Sequence, residues 1–203
     1  MRILDRILQS WRAWKARPWV RYGDRVLDIG CHQGEFLRSL TDRIGPSVGL
    51  DPLAHPTTEP HFRIMAEPFR EPTTFRDQSF DAVVMLAALE HIKDKAPLAR
   101  ECSRLLSPAG RVIITVPTPF VDRIVAFLCR LRLADGMSLE EHHGFNPSET
   151  PVIFAQHGFE LEYQGRFQLG LNRLFVLRKQ VAAPQFVVNE AEHNAEARVG
   201  VHA

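Results

Sequence analysis

Two carboxylates and a glycine turn stand at spacings that could hold a small, positively charged nucleoside. Asp28, Gly30, His32 and Gly34 follow the apolar stretch Val26-Leu27, and Asp51 closes a second short apolar run, Val48-Gly49-Leu50. A strand, a glycine turn and a helix let backbone come close to a ligand, and an acid ending the next strand can accept from two ribose hydroxyls. The details are wrong for a dinucleotide. Its pyrophosphate asks for G-x-G-x-x-G and an open helix N-terminus, whereas here Asp28 sits inside the turn and would repel phosphate. Asp28 suits a ligand with a cationic end.

S-adenosylmethionine carries both an ammonium and a sulfonium, and Asp28 and Asp51 would bracket it. The segment Asp28-Ile29-Gly30-Cys31-His32-Gln33-Gly34 resembles motif I of the class I S-adenosylmethionine-dependent methyltransferases, D-x-G-C-G-x-G. Three further blocks resemble the UbiG/UbiE-like (methyltransferase type 11/23) members in order. Ser79-Phe80-Asp81-Ala82-Val83-Val84 matches their fourth strand, and Leu89-Glu90-His91-Ile92 the "LEH" that follows it. Arg100 to Pro117 matches their "RE-x-x-RvLkPGG" helix, turn and fifth strand. The resemblance spans roughly residues 20–178. Two positions depart from it: His32 stands where the family has its middle glycine, and Met65 where it often has Asp after strand three.

The resemblance implies an α/β doubly wound, Rossmann-like sheet of seven strands, mostly parallel, with a C-terminal antiparallel strand and helices on both faces. It implies S-adenosyl-L-methionine as cofactor and a small-molecule acceptor. Gly30 and Gly34 would admit the methionine end, with His32 crowding or contacting it, and Asp28 would help hold its amino group. Asp51 would take the ribose hydroxyls, Pro52 would pack on the adenine, and Ala66 and Glu67 would meet the adenine edge. Leu86 and Ala87 would line the methionine segment. His91 is the candidate general base, since an imidazole can take a hydroxyl proton at neutral pH; the alternative is a histidine that only orients the next helix. Some relatives bind a divalent ion through E-x-x-E-H and a distal histidine. Here Ala87 replaces the first acid, which leaves Glu90, His91 and His142 or His143 as a weaker metal set, and no metal is expected.

The elements that must position these groups alternate strand and helix, the pattern of a parallel sheet. Strands are expected at Arg25–Ile29, Val48–Leu50, Phe62–Met65, Asp81–Leu86 and Arg111–Val116, with helices over Glu35–Ile44 and Lys95–Leu106. Asn146-Pro147-Ser148-Glu149 is a helix start, with a capping side chain, proline and an acid. Phe159–Phe167 and Leu174–Arg178 resemble the antiparallel pair that closes the sheet of that family. Residues 1–19 form an amphipathic helix: Ile3, Leu4, Ile7, Leu8, Trp11 and Trp14 share one face, with Arg2, Arg6, Arg12 and Lys15 elsewhere. It either packs on the core or lies at a membrane surface. Residues 20–180 form the methyltransferase domain, in which 118–145 is a substrate-covering insertion or another packing element. Residues 181–203 read as a disordered tail.

At 203 residues, 45% hydrophobic and 24% charged, the chain supports one domain with a full core. A net charge of +1 gives no global pull toward nucleic acid, and no nucleic-acid module is recognisable. Three dispersed cysteines without a C-x-x-C point to a reducing, cytoplasmic setting rather than a disulfide or zinc framework. The leading function is methyl transfer to a hydroxyl of an apolar or lipid-linked small molecule, with peripheral membrane contact through the N-terminal helix. The alternatives are a non-catalytic binding or scaffold protein on the same fold, suggested by His32, and a nicotinamide oxidoreductase, disfavoured by the Asp28 turn.

Overall fold

The computed structural model describes residues 3–118 and 146–181. Among these residues eight strands form one sheet: β1 (Val26–Ile29), β2 (Ser47–Leu50), β3 (Thr57–Thr58), β4 (Phe62–Met65), β5 (Phe80–Leu86), β6 (Leu106–Pro117), β7 (Phe159–Phe167) and β8 (Asn172–Lys179). Their order is β3-β4-β2-β1-β5-β6-β8-β7. Strands β4, β2, β1, β5 and β6 run parallel, and β8 and β7 close the sheet antiparallel. The doubly wound expectation holds, with the two-residue β3 added on the outer edge, antiparallel to β4.

All four residues of β1 are buried, as a central strand covered on both faces requires. Alternation along the strands divides the core. Leu27, Ile29, Val83, Met85, Val112 and Ile114 face one way, toward Leu98, Cys102 and Leu105 of α3 (Lys95–Leu105). Val26, Ala82, Val84 and Ile113 face the other way, toward Phe36 and Leu37 of α2 (Glu35–Arg38), Leu40 just past it, and Ala16 of α1 (Ile3–Ala16). A short helix, α4 (Thr150–Ala155), buries Phe154 against Phe159 on the α3 side.

Three elements differ in kind from the sequence expectation. The helix expected over Glu35–Ile44 is regular only to Arg38. Ser39 Oγ donates to Phe36 O (2.7 Å) and Thr41 Oγ1 to Arg38 O (3.2 Å), and Leu40 N–H bonds Leu37 O, so hydroxyls draw the ladder into tighter turns. The expected turn Ser107–Gly110 is a bulge inside β6: Phe80 pairs with Leu106 and Ala82 with Arg111, and Ala109 takes φ 58°. The expected helix start at Asn146 is a 3-10 turn, Pro147–Glu149, capped by Ser148 N–H on Asn146 Oδ1 (3.0 Å). The insertion from 119 to 145, with His142 and His143, and the tail from 182 lie outside the described residues.

Candidate active site

Strands β4, β2, β1 and β5 end almost level. Ile29 is registered with Leu50, Leu50 with Met65, and Asp28 with Val84. Their carboxyl ends therefore form one continuous edge, which carries Asp28 to Gly34, Asp51-Pro52, Ala66-Glu67 and Leu86-Ala87. In open α/β sheets ligands bind along such an edge.

The turn after β1 is built on left-handed backbone: φ is 74° at Gly30, 50° at His32 and 80° at Gly34. Gly30 N–H donates to Leu50 O (2.8 Å), and a Cβ added at Gly30 would come within 2.6 Å of Ala88 Cβ. The glycine thus lets the loop after β5 close against motif I. Ala87 in that loop has φ 58°, and its N–H bonds Thr115 O (2.9 Å), which swings the chain out of the sheet. Gly49 is required by a neighbour as well, since Cys31 Sγ would lie 2.7 Å from a Cβ there.

Asp51 ties the two loops together. Its Oδ2 accepts from His32 N–H (2.9 Å) and its Oδ1 from Leu53 N–H (2.8 Å). Each carboxylate oxygen retains a further lone pair, the capacity a vicinal diol needs. The His32 imidazole is half-exposed, with Nδ1 2.9 Å from Glu35 Oε1, while Glu35 Oε2 accepts from Gln33 N–H (3.2 Å).

Asp28 is buried, 2% exposed, on the central strand. Burial, reinforced by the negative charges of Glu35 and Asp51, pushes its carboxyl up to about pKa 8. The Cys31 thiol is raised by burial and by the same carboxylates, so it is no thiolate nucleophile. The carboxylates of Glu35 and Asp51 make an acidic wall at this turn, and the buried Asp28 carboxyl beside them holds its proton at neutral pH. That wall, together with the unused acceptor capacity of Asp51, fits a ligand that joins a sulfonium and an ammonium to a ribose.

Pro52, Ala66 and Glu67 are exposed along this edge, and Leu86 and Ala87 half-buried. His91 is exposed at the end of the 3-10 turn Leu89–His91, whereas its neighbour Glu90 is buried. Among the described residues no group of three or more His, Cys, Asp or Glu is gathered to hold a metal, and His143 lies outside them. Sequence reasoning missed three contributors: Ala88 behind Gly30, Glu35 holding His32, and the Leu53 amide on Asp51. The acid three residues after His32 and the glycine in Val48-Gly49-Leu50 were the available signals.

The fold and parts of the sequence recur in known proteins. The ubiquinone biosynthesis O-methyltransferase of Acinetobacter baumannii (strain AYE) is 24% identical over 188 residues, which cover 86% of this chain and 78% of that protein. Among solved structures, a chain of the complex between the Haloferax volcanii Trm112 methyltransferase activator and a methyltransferase superposes with TM-score 0.65 at 17% identity, covering 86% of this chain and 98% of its own. An S-adenosylmethionine-dependent methyltransferase from Mesorhizobium loti superposes with TM-score 0.62 at 18% identity, covering 85% and 100%. The family model for the methyltransferase domain matches residues 3–164, most of the chain. The protein belongs to that family and is an S-adenosylmethionine-dependent methyltransferase.

Proposed function

We propose that this protein methylates a hydroxyl on an apolar or lipid-linked small molecule. In this reading Asp51 receives the ribose hydroxyls, and Pro52, Ala66 and Glu67 receive the adenine. Gly30, Gly34 and His32 border the methionine end, with Asp28 beneath its amino group and Leu86 and Ala87 along its side chain. The cofactor supplies a methyl group activated on a sulfonium. The chain's part is to align the acceptor oxygen and exclude water. His91 would take the O–H proton of an acceptor hydroxyl aligned there. The observation that carries the reading is the acidic wall of Glu35 and Asp51, beside the buried Asp28, at the carboxyl edge of the sheet. The name of the A. baumannii relative supports oxygen as the acceptor atom.

A scaffold without cofactor affinity is the competing reading, and His32 motivates it. The pairing of the His32 ring with Glu35 weighs against that reading, because the ring is held by a half-exposed partner. Calorimetric titration with S-adenosylhomocysteine separates the two. Micromolar binding that is lost in Asp51→Ala supports the enzyme, and an acceptor screen then starts from phenolic and lipid-linked hydroxyls. No binding by the wild type overturns it.

A further inference from the structure

A helix that packs on a core turns its large apolar residues inward. Helix α1 does the reverse. Ile7, Trp11 and Trp14 are 54%, 39% and 64% exposed, while the small residues Ala13 and Ala16 meet the sheet side. At about 100° per residue, Ile7, Trp11 and Trp14 fall within a narrow stripe opposite those alanines. Arg6 and Lys15 flank the stripe on its two sides, and Arg12 lies further round. No acid occurs from Arg6 to Trp19. The Lys15 ammonium rests 4.9 Å from the centre of the Trp14 ring. Large apolar side chains facing outward, with cations beside them, describe a helix that lies in the headgroup layer of an anionic bilayer. Among the described residues no helix is long and apolar enough to cross a membrane, so the contact is lateral.

The start of this helix is tied to the active-site edge. Gln168 Nε2 donates to Leu8 O (2.8 Å), which places the β7–β8 hairpin beside the second turn of α1. The same hairpin accepts Thr118 N–H on Leu171 O (2.8 Å), just past the carboxyl end of β6. Leu169 at the hairpin tip is 97% exposed.

We infer that α1, with the Leu169 tip, docks this methyltransferase on an anionic phospholipid surface. The Ile7, Trp11 and Trp14 side chains enter the interface, and Arg6 and Lys15 stay with the headgroups. Delivery of a lipid-linked acceptor from that surface to the carboxyl edge rests on the function proposed above; the docking does not.

Co-sedimentation tests it, using the full chain with vesicles of phosphatidylcholine alone and of phosphatidylcholine mixed with phosphatidylglycerol. The wild type should pellet with the mixed vesicles, and its tryptophan emission should shift to the blue. Trp11→Ala/Trp14→Ala should remain in the supernatant. Arg6→Gln/Lys15→Gln should lose about thirtyfold in partition on the anionic vesicles. Calorimetry with S-adenosylhomocysteine on the same samples should give one affinity for all variants, which shows them folded. Wild type that binds S-adenosylhomocysteine but pellets with neither vesicle overturns the docking and leaves methyl transfer standing. So does a dimer that depends on Trp11 and Trp14 and ignores vesicles, since a second copy would then cover the stripe. Vesicle binding without S-adenosylhomocysteine binding supports the docking and overturns the cofactor site.

Discussion

Two aspartates on neighbouring strands of one sheet are driven in opposite directions. At the amino edge Asp81, near the start of β5, meets Arg25: its backbone N–H and Nε donate to Oδ2 (3.0 and 2.8 Å) and a terminal nitrogen to Oδ1 (2.9 Å), and Ser107 Oγ adds a fourth bond (2.8 Å). The Arg25 pairing outweighs burial and holds this carboxyl down at about pKa 2. At the carboxyl edge Asp28, near the end of β1, is buried beside two further carboxylates and is pushed up to about 8. Helix α3 repeats this pattern at Glu101. There burial works against the charge, but Arg104 and Thr73 overcome it and hold the carboxyl near 2. One edge neutralises its charges within the fold. The other keeps Asp28 protonated beside Glu35 and Asp51, a carboxyl that a bound cation would ionise, and such perturbed groups gather where ligands bind.

The contrast breaks most sharply at Asp51. Asp51→Ala should lower S-adenosylhomocysteine affinity on the order of a thousandfold, the loss of two charge-assisted hydrogen bonds at about 2 kcal/mol each. It should also cost some stability, since the His32 and Leu53 amides lose their acceptor. An affinity unchanged by calorimetry would remove the carboxyl edge from cofactor binding.

A second effect, on stability, depends on pH. The folded protein holds the Asp28 proton up to about pH 8, whereas the unfolded chain releases it near pH 4. Asp28 therefore opposes folding increasingly between those values and by a constant amount above them. Asp28→Asn should match the wild type near pH 4 and gain up to about 1.4 kcal/mol for each pH unit from there toward pH 8. A cation beside Asp28 favours its ionised form, so cofactor affinity of the wild type should climb as pH rises toward 8 and stay flat in the variant. Thermal melts and titrations over the same buffers read both slopes; parallel stability curves would show that Asp28 is not held protonated.

Asp81→Asn should do the converse. Its carboxyl contributes stability that is present above about pH 4 and lost as pH falls toward 2. At neutral pH the variant should lose about 1–2 kcal/mol, a figure that allows for the partial exposure of the pair. It should keep its cofactor affinity. A large loss of affinity would mean that the two edges are coupled rather than divided.

The chain spells out one side of this comparison better than the other. Strand–turn–strand spacing and the two acids located the carboxyl edge, because apolar runs that end on Asp28 and Asp51 leave few places for a ligand. Partners remote in sequence were invisible: Arg25 on Asp81, Arg104 across the loop at Thr73, and the Ala88 methyl that makes Gly30 obligatory. Local hydroxyl bonds shortened α2 where apolar periodicity alone extended it. The orientation of α1 was also beyond periodicity, which finds an apolar stripe but not the side on which the sheet lies.

The smallest effect belongs to His32, where backbone and side chain can be separated. The N–H that bonds Asp51 comes from the main chain and survives any substitution except proline. The side chain costs about 1 kcal/mol by holding a β-carbon in left-handed backbone, and the exposed pair with Glu35 returns no more than a few tenths. His32→Gly should accordingly raise stability by about 0.5 kcal/mol and leave S-adenosylhomocysteine affinity within about twofold, because the ring is engaged with Glu35. An affinity gain of tenfold or more would mean that the imidazole crowds the methionine end. The departure from motif I would then be a brake on the site rather than a tolerated change on its rim.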